Sequence, residues 1–436
     1  MQINRTIYKT EPLKCWEKAK ELRNKHYRDA ANARYEGKIL SSGSMEAFTE
    51  LIAAFGDHVH MASEPYGASI GSDPEFSRQC VEGLESKGYA RDLCAYTRNY
   101  LGSVLINKYH FGGAFPVPDF CFQAHSCESH GKWLQAASEM MGVPYFCIDM
   151  PLAPHGLRIE NRISYLADQF HEAIRWLEKT TGRGFDDERF ARAVENSFVS
   201  TKLWAEICAC NKHVPAPINQ KNIFTFYVPL LLDRSSDETL SFYRELRDEA
   251  KYRAENDIAA LPSERCRLLD DSPPPWYFLG LYRYLEQYGA LSIGSTYSFG
   301  LTGAWEDGED GTMAPKKTPM EKGIHLKTRD DYINALARWA IERLFYFMSM
   351  AQPEDKSVKM LQMVREWHAD GVIFHLNRGC EGLAFGQKEN NLYLKDAGIP
   401  TISYEGNNAD KREFDEKRVL GRIDAFMESL GLKKSG

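Results

Sequence analysis

The chain has 436 residues, with 54 Lys and Arg against 61 Asp and Glu and a formal net charge of −7. This length allows a large buried core and predicts two to three domains rather than one. Because there is no basic excess, we expect neither a nucleic-acid nor an anionic-membrane partner. No apolar stretch reaches the roughly 18 residues that a membrane-spanning helix needs.

The N-terminal residues lack the apolar region of a secretory signal. The chain contains 10 cysteines. In a protein without an export signal, these predict a reducing compartment, where thiols serve packing, metal binding or catalysis rather than disulfides. We therefore expect a cytoplasmic protein.

The first part of the chain, residues 1–55, is predicted to be an N-terminal helical segment. Apolar residues recur at helical spacing from Leu13 to about Leu51, which is the period of an amphipathic helix. Gly37 and the SSGS run at 41–44 are interpreted as a break between helices.

A first α/β lobe is predicted over residues 56–215. The segments HVHMASEP, DFCFQAHS and VPYFCIDMP have the pattern of strands, and the helical pattern ESHGKWLQAASEMMG separates the last two. A strand, a helix and a strand within about 30 residues form a βαβ unit, so the sheet should be parallel. Helical patterns from Ile159 to about Cys210 are expected to join this lobe to the next one.

A second α/β lobe with a C-terminal helix is predicted over residues 216–436. The strand patterns CRLLDD, ALSIGSTYS, GVIFHL and PTISYEG alternate with helical patterns, and EKRVLGRIDAFMESLG closes the chain as a helix. The sequence therefore predicts an α/β fold of two Rossmann-like or flavodoxin-like lobes with short parallel sheets, preceded by the helical segment.

Three cysteines stand out by their position. Cys127 and Cys380 each follow a predicted strand and precede a predicted helix, and Cys94 lies in DLCAYTRNYLG. Open α/β sheets bind ligands at the carboxyl ends of their strands, and a helix N-terminus favours thiolate over thiol. The wide spacing of the three excludes a compact ferredoxin-type loop. A shared iron–sulfur cluster would have to be assembled by tertiary folding.

The sequences around these cysteines resemble one known family. The segments CAYTRNYLG, SCESHGKW and NRGCEGLAFGQ, followed by PTISYEGN and RIDAFMESL, resemble the 2-hydroxyacyl-CoA dehydratase and benzoyl-CoA reductase family over most of the chain. NRGCEGLAFGQ, ISYEGNNADKREFDEKR and YGALSIGSTYSFGL are most similar to the B-type (β) subunit of ATP-dependent class I benzoyl-CoA reductases.

This resemblance implies a [4Fe-4S] cluster held by the thiolates of Cys94, Cys127 and Cys380, with a fourth ligand that the sequence does not name. It also implies an oxidoreductase subunit that reduces the ring of benzoyl-CoA or another aryl-CoA to a cyclic dienoyl-CoA by low-potential one-electron steps. A component of a 2-hydroxyacyl-CoA dehydratase, which eliminates water through a ketyl radical, is the alternative. A second alternative is a double-cubane-type electron-transfer protein without a substrate of its own.

The resemblance further implies partner subunits. The sequence contains neither G-x-x-x-x-G-K-[ST] nor a G-x-G-x-x-G that opens a helix after a strand, so ATP and magnesium are expected on another chain. The implied partners are a homologous cluster-bearing subunit in a pseudo-symmetric heterodimer, activator ATPase subunits of the acetate-kinase and sugar-kinase superfamily, and ferredoxin as electron donor.

Other residues are candidates for proton transfer. His125 and His130 flank Cys127, and Glu50 lies in SSGSMEAFTELIAAFG, the stretch that corresponds to a serine and a glutamate near the cluster in the dehydratases. In the same stretch the loose alignment leaves four further residues as candidates, which are Ser41, Ser42, Ser44 and Glu46.

The remaining cysteines have competing interpretations. Cys208, Cys210 and His213 form C-x-C-x-x-H, which could bind zinc. Residues two apart on a helix point in different directions, however, which favours a structural role. Cys121 and Cys147, in predicted strands, are expected to be core residues.

Overall fold

The computed structural model describes residues 6–151, 158–343 and 353–434. In this part of the chain the strands are β1 (Lys9–Thr10), β2 (Ile39–Gly43), β3 (His58–Ala62), β4 (Phe120–His125), β5 (Tyr145–Asp149), β6 (Ile258–Ala259), β7 (Cys266–Asp271), β8 (Ala290–Ser295), β9 (Trp305–Asp307), β10 (Met313–Pro315), β11 (Gly371–Asn377) and β12 (Thr401–Gly406). Short 3-10 turns lie at Trp276–Phe278 and Lys411–Glu413.

The helices of the same ranges surround and connect these strands. They are α1 (Trp16–Asn32), α2 (Thr49–Ala53), α3 (Ser63–Gly71), α4 (Pro74–Glu85), α5 (Ala95–Leu105), α6 (His130–Met141), α7 (Ile159–Thr181), α8 (Asp187–Cys210), α9 (Gln220–Asp233), α10 (Asp237–Glu255), α11 (Gly280–Glu286), α12 (Thr296–Gly300), α13 (Arg329–Ile341), α14 (Pro353–Glu366), α15 (Glu381–Ala384), α16 (Gln387–Asp396) and α17 (Glu416–Ser429). None of these helices is both long and apolar enough to cross a membrane.

Two four-stranded sheets form the centres of two lobes. The strand order is β3-β2-β4-β5 in the first sheet and β12-β11-β7-β8 in the second. All pairings in both sheets are parallel, so successive strands need crossover connections, most of which contain helices. The predicted α/β class, with two lobes built on short parallel sheets, is confirmed.

One part of the N-terminal segment differs from its prediction. The helical pattern is confirmed by α1, but Ile39–Gly43, interpreted from the sequence as containing a break, forms β2 inside the first sheet. Ser42 Oγ donates to the Met61 carbonyl at 3.0 Å and lies 2.7 Å from the Tyr100 hydroxyl. These tertiary contacts satisfy the serine hydroxyl, and they override the weak strand propensity of serine and glycine.

The two lobes are joined by a partly buried ion cluster, here called the interlobe clamp, formed by Glu85, Arg98, Asp410 and Arg412. The Arg98 side chain is fully buried and donates to the carboxylates of Asp410 at 2.9 Å and Glu85 at 3.1 Å. Arg412 bonds the same two carboxylates. Arg98 Nε also donates to the Leu93 carbonyl at 3.0 Å. The clamp therefore fixes the segment that enters α5 relative to the second lobe.

Candidate functional site

The three cysteines predicted to bind a cluster line one cavity. Cys94 lies directly before α5, Cys127 between β4 and α6, and Cys380 between β11 and α15. Two of the thiols thus come from the first lobe and one from the second, and the cavity lies between the lobes. It encloses about 60 Å³ of free space, whereas a single water needs roughly 10–15 Å³.

A glycine allows the two lobes to approach at this point. Gly379 has a φ of +76°, and a Cβ atom there would lie 2.8 Å from the Asp92 carbonyl oxygen and 3.0 Å from that of Leu93. Glycine is suited to both the positive φ and the close contact of backbones. The NRGC segment therefore brings Cys380 against the loop that carries Cys94.

Backbone amides at helix starts also face the three sulfur atoms. Each sulfur accepts a hydrogen bond from the backbone amide three residues further along the chain. These amides belong to Thr97, His130 and Leu383, and each lowers the pKa of its thiol. Such amides stabilise negative charge at the N-terminal ends of helices. All three cysteines are therefore placed where a thiolate receives a hydrogen bond.

Burial acts against the charged form of two of the thiols. It raises the pKa of Cys94 above its ordinary value and that of Cys380 to about 12, and the neighbouring thiols act in the same direction. Without a compensating cation, these two thiols are protonated at neutral pH. A bound metal reverses this preference, because a coordinating thiol is deprotonated.

Cys127 differs from the other two because it contacts a charged histidine. Burial would raise the pKa of Cys127, but His130 lowers it overall. His130 Nδ1 lies 3.4 Å from Cys127 Sγ and 2.9 Å from Ser126 Oγ, and Nε2 lies 2.6 Å from the Glu64 carboxylate. Burial would lower the pKa of His130, yet Cys127 and Glu64 together raise it well above its ordinary value. Both partners therefore favour the imidazole with both ring protons.

The surroundings hold this histidine in one orientation. The second oxygen of Glu64 accepts hydrogen bonds from the Met45 amide and the Ser63 hydroxyl, both at 2.9 Å. The ring of Trp133 stacks on the imidazole, with centroids 5.8 Å apart and planes 17° apart. A charge-assisted pair whose partners are both fixed in this way is a preorganised proton site.

The residues fit an iron–sulfur cluster better than a single metal ion. Among the described residues, no group of three or more His, Cys, Asp or Glu side chains could hold one metal ion. A single zinc ion needs all its ligands within about 2.0–2.3 Å of one point. The thiolates of a cluster bind different irons and are therefore further apart. Three thiols around one cavity, one buried and two partly buried, with amides directed at their sulfur atoms, suit the larger group.

Two of the predicted proton-transfer residues lie outside this cavity. His125 is 38% exposed and pairs with Asp149 at 3.2 Å. Glu50 is buried against Arg234, whose Nε donates to its carboxylate at 3.0 Å, and it also accepts from Ser197. His130 is thus the predicted proton donor that the structure brings to the three thiols.

The other candidates of the N-terminal stretch divide in the same way. Glu46 lines the cavity and pairs with Arg343 at 2.7 Å. The hydroxyl of Ser41 bonds His60 at 2.9 Å, and that of Ser44 accepts from the Ala124 amide at 3.0 Å. Together with Ser42, these two serines connect β2 and the residue that follows it to neighbouring elements, and none of the three lines the cavity.

Sequence reasoning missed Glu64 and the aromatic wall. Glu64 follows β3 at the carboxyl edge of the first sheet, so the rule that singled out Cys127 could have found it. Tyr96 and Tyr297 also line the cavity, and their side chains hydrogen-bond each other. No sequence signal marked this pair, because the two residues lie in different lobes.

The alternative cysteine sites are not assembled in the described chain. Cys208 is buried in the core, while Cys210 donates to the Glu206 carbonyl at 3.3 Å. His213 pairs with Asp257 at 2.8 Å. The zinc interpretation of C-x-C-x-x-H therefore receives no support. Cys121 is a core residue as expected, and Cys147 is partly buried in β5.

The fold and the cavity define a two-lobed α/β protein with a thiol-lined site between its lobes. The chain belongs to the family described as 2-hydroxyglutaryl-CoA dehydratase, D-component, whose model matches residues 46–430. This confirms the family resemblance inferred from the cysteine motifs. Members of the family include subunits of acyl-CoA dehydratases and of benzoyl-CoA reductase.

Three relatives illustrate the range of the family. The chain is 24% identical over 419 residues to the (R)-2-hydroxyisocaproyl-CoA dehydratase alpha subunit of Clostridioides difficile, covering 95% of each chain. It is 24% identical over 437 residues to the alpha subunit of the lactoyl-CoA dehydratase of Anaerotignum propionicum, covering 95% of this chain and 96% of that one. It is 22% identical over 434 residues to the B subunit of the benzoyl-CoA reductase of Thauera aromatica, covering 96% and 95%.

Proposed function

We propose that this chain is the iron–sulfur active-site subunit of an ATP-dependent aryl-CoA reductase. One observation carries the proposal: three cysteines from separate chain segments line one buried cavity together with a His–Glu ion pair. Thiols suit a redox cluster, and a fixed imidazolium suits a reaction that consumes protons.

Cys94, Cys127 and Cys380 would hold a [4Fe-4S] cluster, with one iron free of protein thiolate. Bound there, the cluster would supply single electrons at low potential. The cavity shields Cys94 and Trp133, which are 9% and 2% exposed, whereas Cys127 and Cys380 are only partly buried. The rings of Tyr96 and Tyr297 give the cavity an aromatic side that suits a planar substrate.

His130 would supply or hold a proton beside the reacting group. Its Nε2 atom forms an ion pair with the Glu64 carboxylate, and its Nδ1 atom lies within hydrogen-bond distance of Ser126 and Cys127. This position allows the imidazolium to stabilise negative charge on the Cys127 sulfur and to deliver a proton into the cavity. Glu64 would act as a positioning residue for the ring.

The names of the relatives support a multi-subunit assembly, because two are designated alpha subunits and the third a B subunit. We propose a pseudo-symmetric heterodimer with a homologous cluster-bearing subunit. Activator ATPase subunits and ferredoxin would supply the electrons. ATP would be hydrolysed on the activator, since this sequence contains no nucleotide-binding motif.

A dehydratase component is the second candidate. It is favoured by the two dehydratase alpha subunits, which are 24% identical to this chain against 22% for the reductase subunit. The motifs NRGCEGLAFGQ and EGNNADKREFD favour the reductase. Cluster, fold and activator would be common to both, so the distinction must come from the reaction.

Electron stoichiometry distinguishes the two reactions. With benzoyl-CoA, ATP, magnesium and a strong reductant, the complete complex is expected to form a diene and to consume two electrons per product, with no turnover when ATP is withheld. The cyclic dienoyl-CoA and the enoyl-CoA can each be measured by chromatography, and the consumption of the reductant by absorbance. Many enoyl-CoA molecules formed from an (R)-2-hydroxyacyl-CoA after a single priming electron, with benzoyl-CoA untouched, would establish the dehydratase instead.

His130→Gln is expected to slow product formation by about 100-fold, the typical contribution of a positioned general acid. The iron content should be retained, because the three thiols are unchanged. His125→Gln is the matched control, since His125 flanks Cys127 on the other side and does not line the cavity. Equal rates for the two variants would remove His130 from the proposed role.

A further inference from the structure

Three aromatic side chains form a chain of hydrogen bonds that ends in the thiol-lined cavity. The indole Nε1 of Trp276 donates to the Tyr96 hydroxyl, and the side chains of Tyr96 and Tyr297 hydrogen-bond each other. Tyr96 and Tyr297 line the cavity, whereas Trp276 does not. Tyr96 belongs to the first lobe and the other two residues to the second, so these hydrogen bonds cross between the lobes.

The chemistry of the indole sets the direction of the hydrogen bonds. An indole N–H can only donate, whereas a phenol has one proton and can also accept. Burial raises the pKa of both phenols, so both keep their protons at neutral pH. The bond between them raises the pKa of Tyr96 and lowers that of Tyr297, as expected when Tyr96 is the donor. Tyr297 therefore accepts from Tyr96 and keeps its own proton for another group.

The neighbours of Tyr297 in the cavity are a carboxylate and two of the three thiols. Glu64, Cys380 and Cys94 all interact electrostatically with Tyr297. Glu64 already pairs with His130 and accepts two further hydrogen bonds. Among these neighbours, the acceptors left for the Tyr297 proton are therefore the sulfur atoms and the group that they hold.

Packing keeps this donor in one position. The ring of Tyr297 is 3% exposed and lies against that of Tyr227, with centroids 5.7 Å apart. Trp276 packs on Phe224 with centroids 5.3 Å apart, and its backbone amide donates to the Asn408 carbonyl at 2.9 Å. Because each hydrogen bond polarises the next one, Tyr297 is a fixed and strengthened donor.

We propose that Tyr297 donates a hydrogen bond to the iron–sulfur cluster and thereby raises its reduction potential, with Tyr96 and Trp276 as positioning residues. This inference rests on the proposed function, because it takes the three thiols to hold a cluster. The reduced cluster carries one more negative charge than the oxidised one, so a hydrogen bond to its sulfur stabilises the reduced form more. Loss of the donor should therefore make the potential more negative.

The test is a redox titration of the full chain, isolated anaerobically with its iron and followed by visible absorbance. In Tyr297→Phe, which removes only the hydroxyl, the equilibrium constant for reduction is expected to fall about ten-fold, which corresponds to about 59 mV for one electron. Trp276→Phe should shift the potential in the same direction by less, since it weakens the donor without altering the cavity.

Tyr227→Phe is the matched control. The Tyr227 side chain is also buried and contacts the Tyr297 ring, but it does not line the cavity. Its loss of a hydroxyl should leave the potential unchanged.

Tyr297→Phe should keep its iron, because the three thiols are unaltered. With full iron content, a potential equal to that of the unaltered protein would overturn the role of Tyr297. If this variant loses its iron, Trp276→Phe decides instead, and an unchanged potential there would overturn the inference. In either case the proposed function stands if the complex still reduces benzoyl-CoA. Unaltered protein without iron would remove the proposed function and this inference together.

Discussion

Replacing Cys94, Cys127 or Cys380 with alanine is expected to remove most of the about four iron atoms and four acid-labile sulfides per chain that anaerobically purified protein should contain. The physical reason is that each thiol occupies a separate position around one cavity, so none of the remaining cysteines can replace it. Iron and sulfide analysis, together with visible absorbance that bleaches in oxygen, provides the measurement.

Cys147→Ala is the matched control for this series. Cys147 is also partly buried and lies in β5, the strand that pairs with β4, but it does not line the cavity. Its iron content should equal that of the unaltered protein. Full iron content in Cys94→Ala would show that this residue is not a ligand and would leave only two thiols of the proposed set.

The second large effect concerns the interlobe clamp. Asp410→Asn is expected to lower the free energy of unfolding by about 3 kcal/mol, because it leaves the buried guanidinium of Arg98 with only the partly exposed Glu85 as a charged partner. Urea unfolding followed by fluorescence provides the measurement. The comparison variant is Glu160→Gln, which breaks the exposed pair with Arg338 and should cost no more than about 1 kcal/mol.

The same carboxylate predicts a direction of pH dependence. Burial would raise the pKa of Asp410, but Arg412 and Arg98 lower it below its ordinary value of 3.8. A lowered pKa in the folded state stabilises the protein above the unfolded value, and this stabilisation is lost as the pH falls through the folded value. The loss in free energy of unfolding caused by Asp410→Asn should therefore be present at neutral pH and shrink below about pH 4. A loss in free energy of unfolding that becomes larger at acidic pH would contradict the charge-pair explanation.

The sequence predicted most of the strands and two of the thiol positions, because Cys127 and Cys380 follow apolar runs at the ends of strands. It failed at β2, whose small polar residues are stabilised by partners far along the chain. Ser42, for example, contacts Tyr100. Periodicity reports only which face of an element is buried, and it contains no information on such contacts.

The sequence also predicted the candidate site only in part. Both His125 and His130 flank Cys127, so their positions in the sequence could not show which of them faces the cavity. Glu64, which holds His130 in place, follows a different strand. Glu50 was selected from a loose alignment, and its partner Arg234 is 184 residues away. The pairings that decide which acidic residue faces the cavity are tertiary, so the sequence could supply the candidates without ranking them.

The distribution of the thiols between the lobes has a thermodynamic consequence. Two lie on the first lobe and one on the second, so a group that needs all three binds only when the lobes are docked. By linkage, such a group tightens docking by the same factor by which docking tightens its binding. Any mutation that loosens the lobe interface, however far from the thiols, should therefore lower the affinity for the bound iron, so that a competing chelator removes more of it at equilibrium.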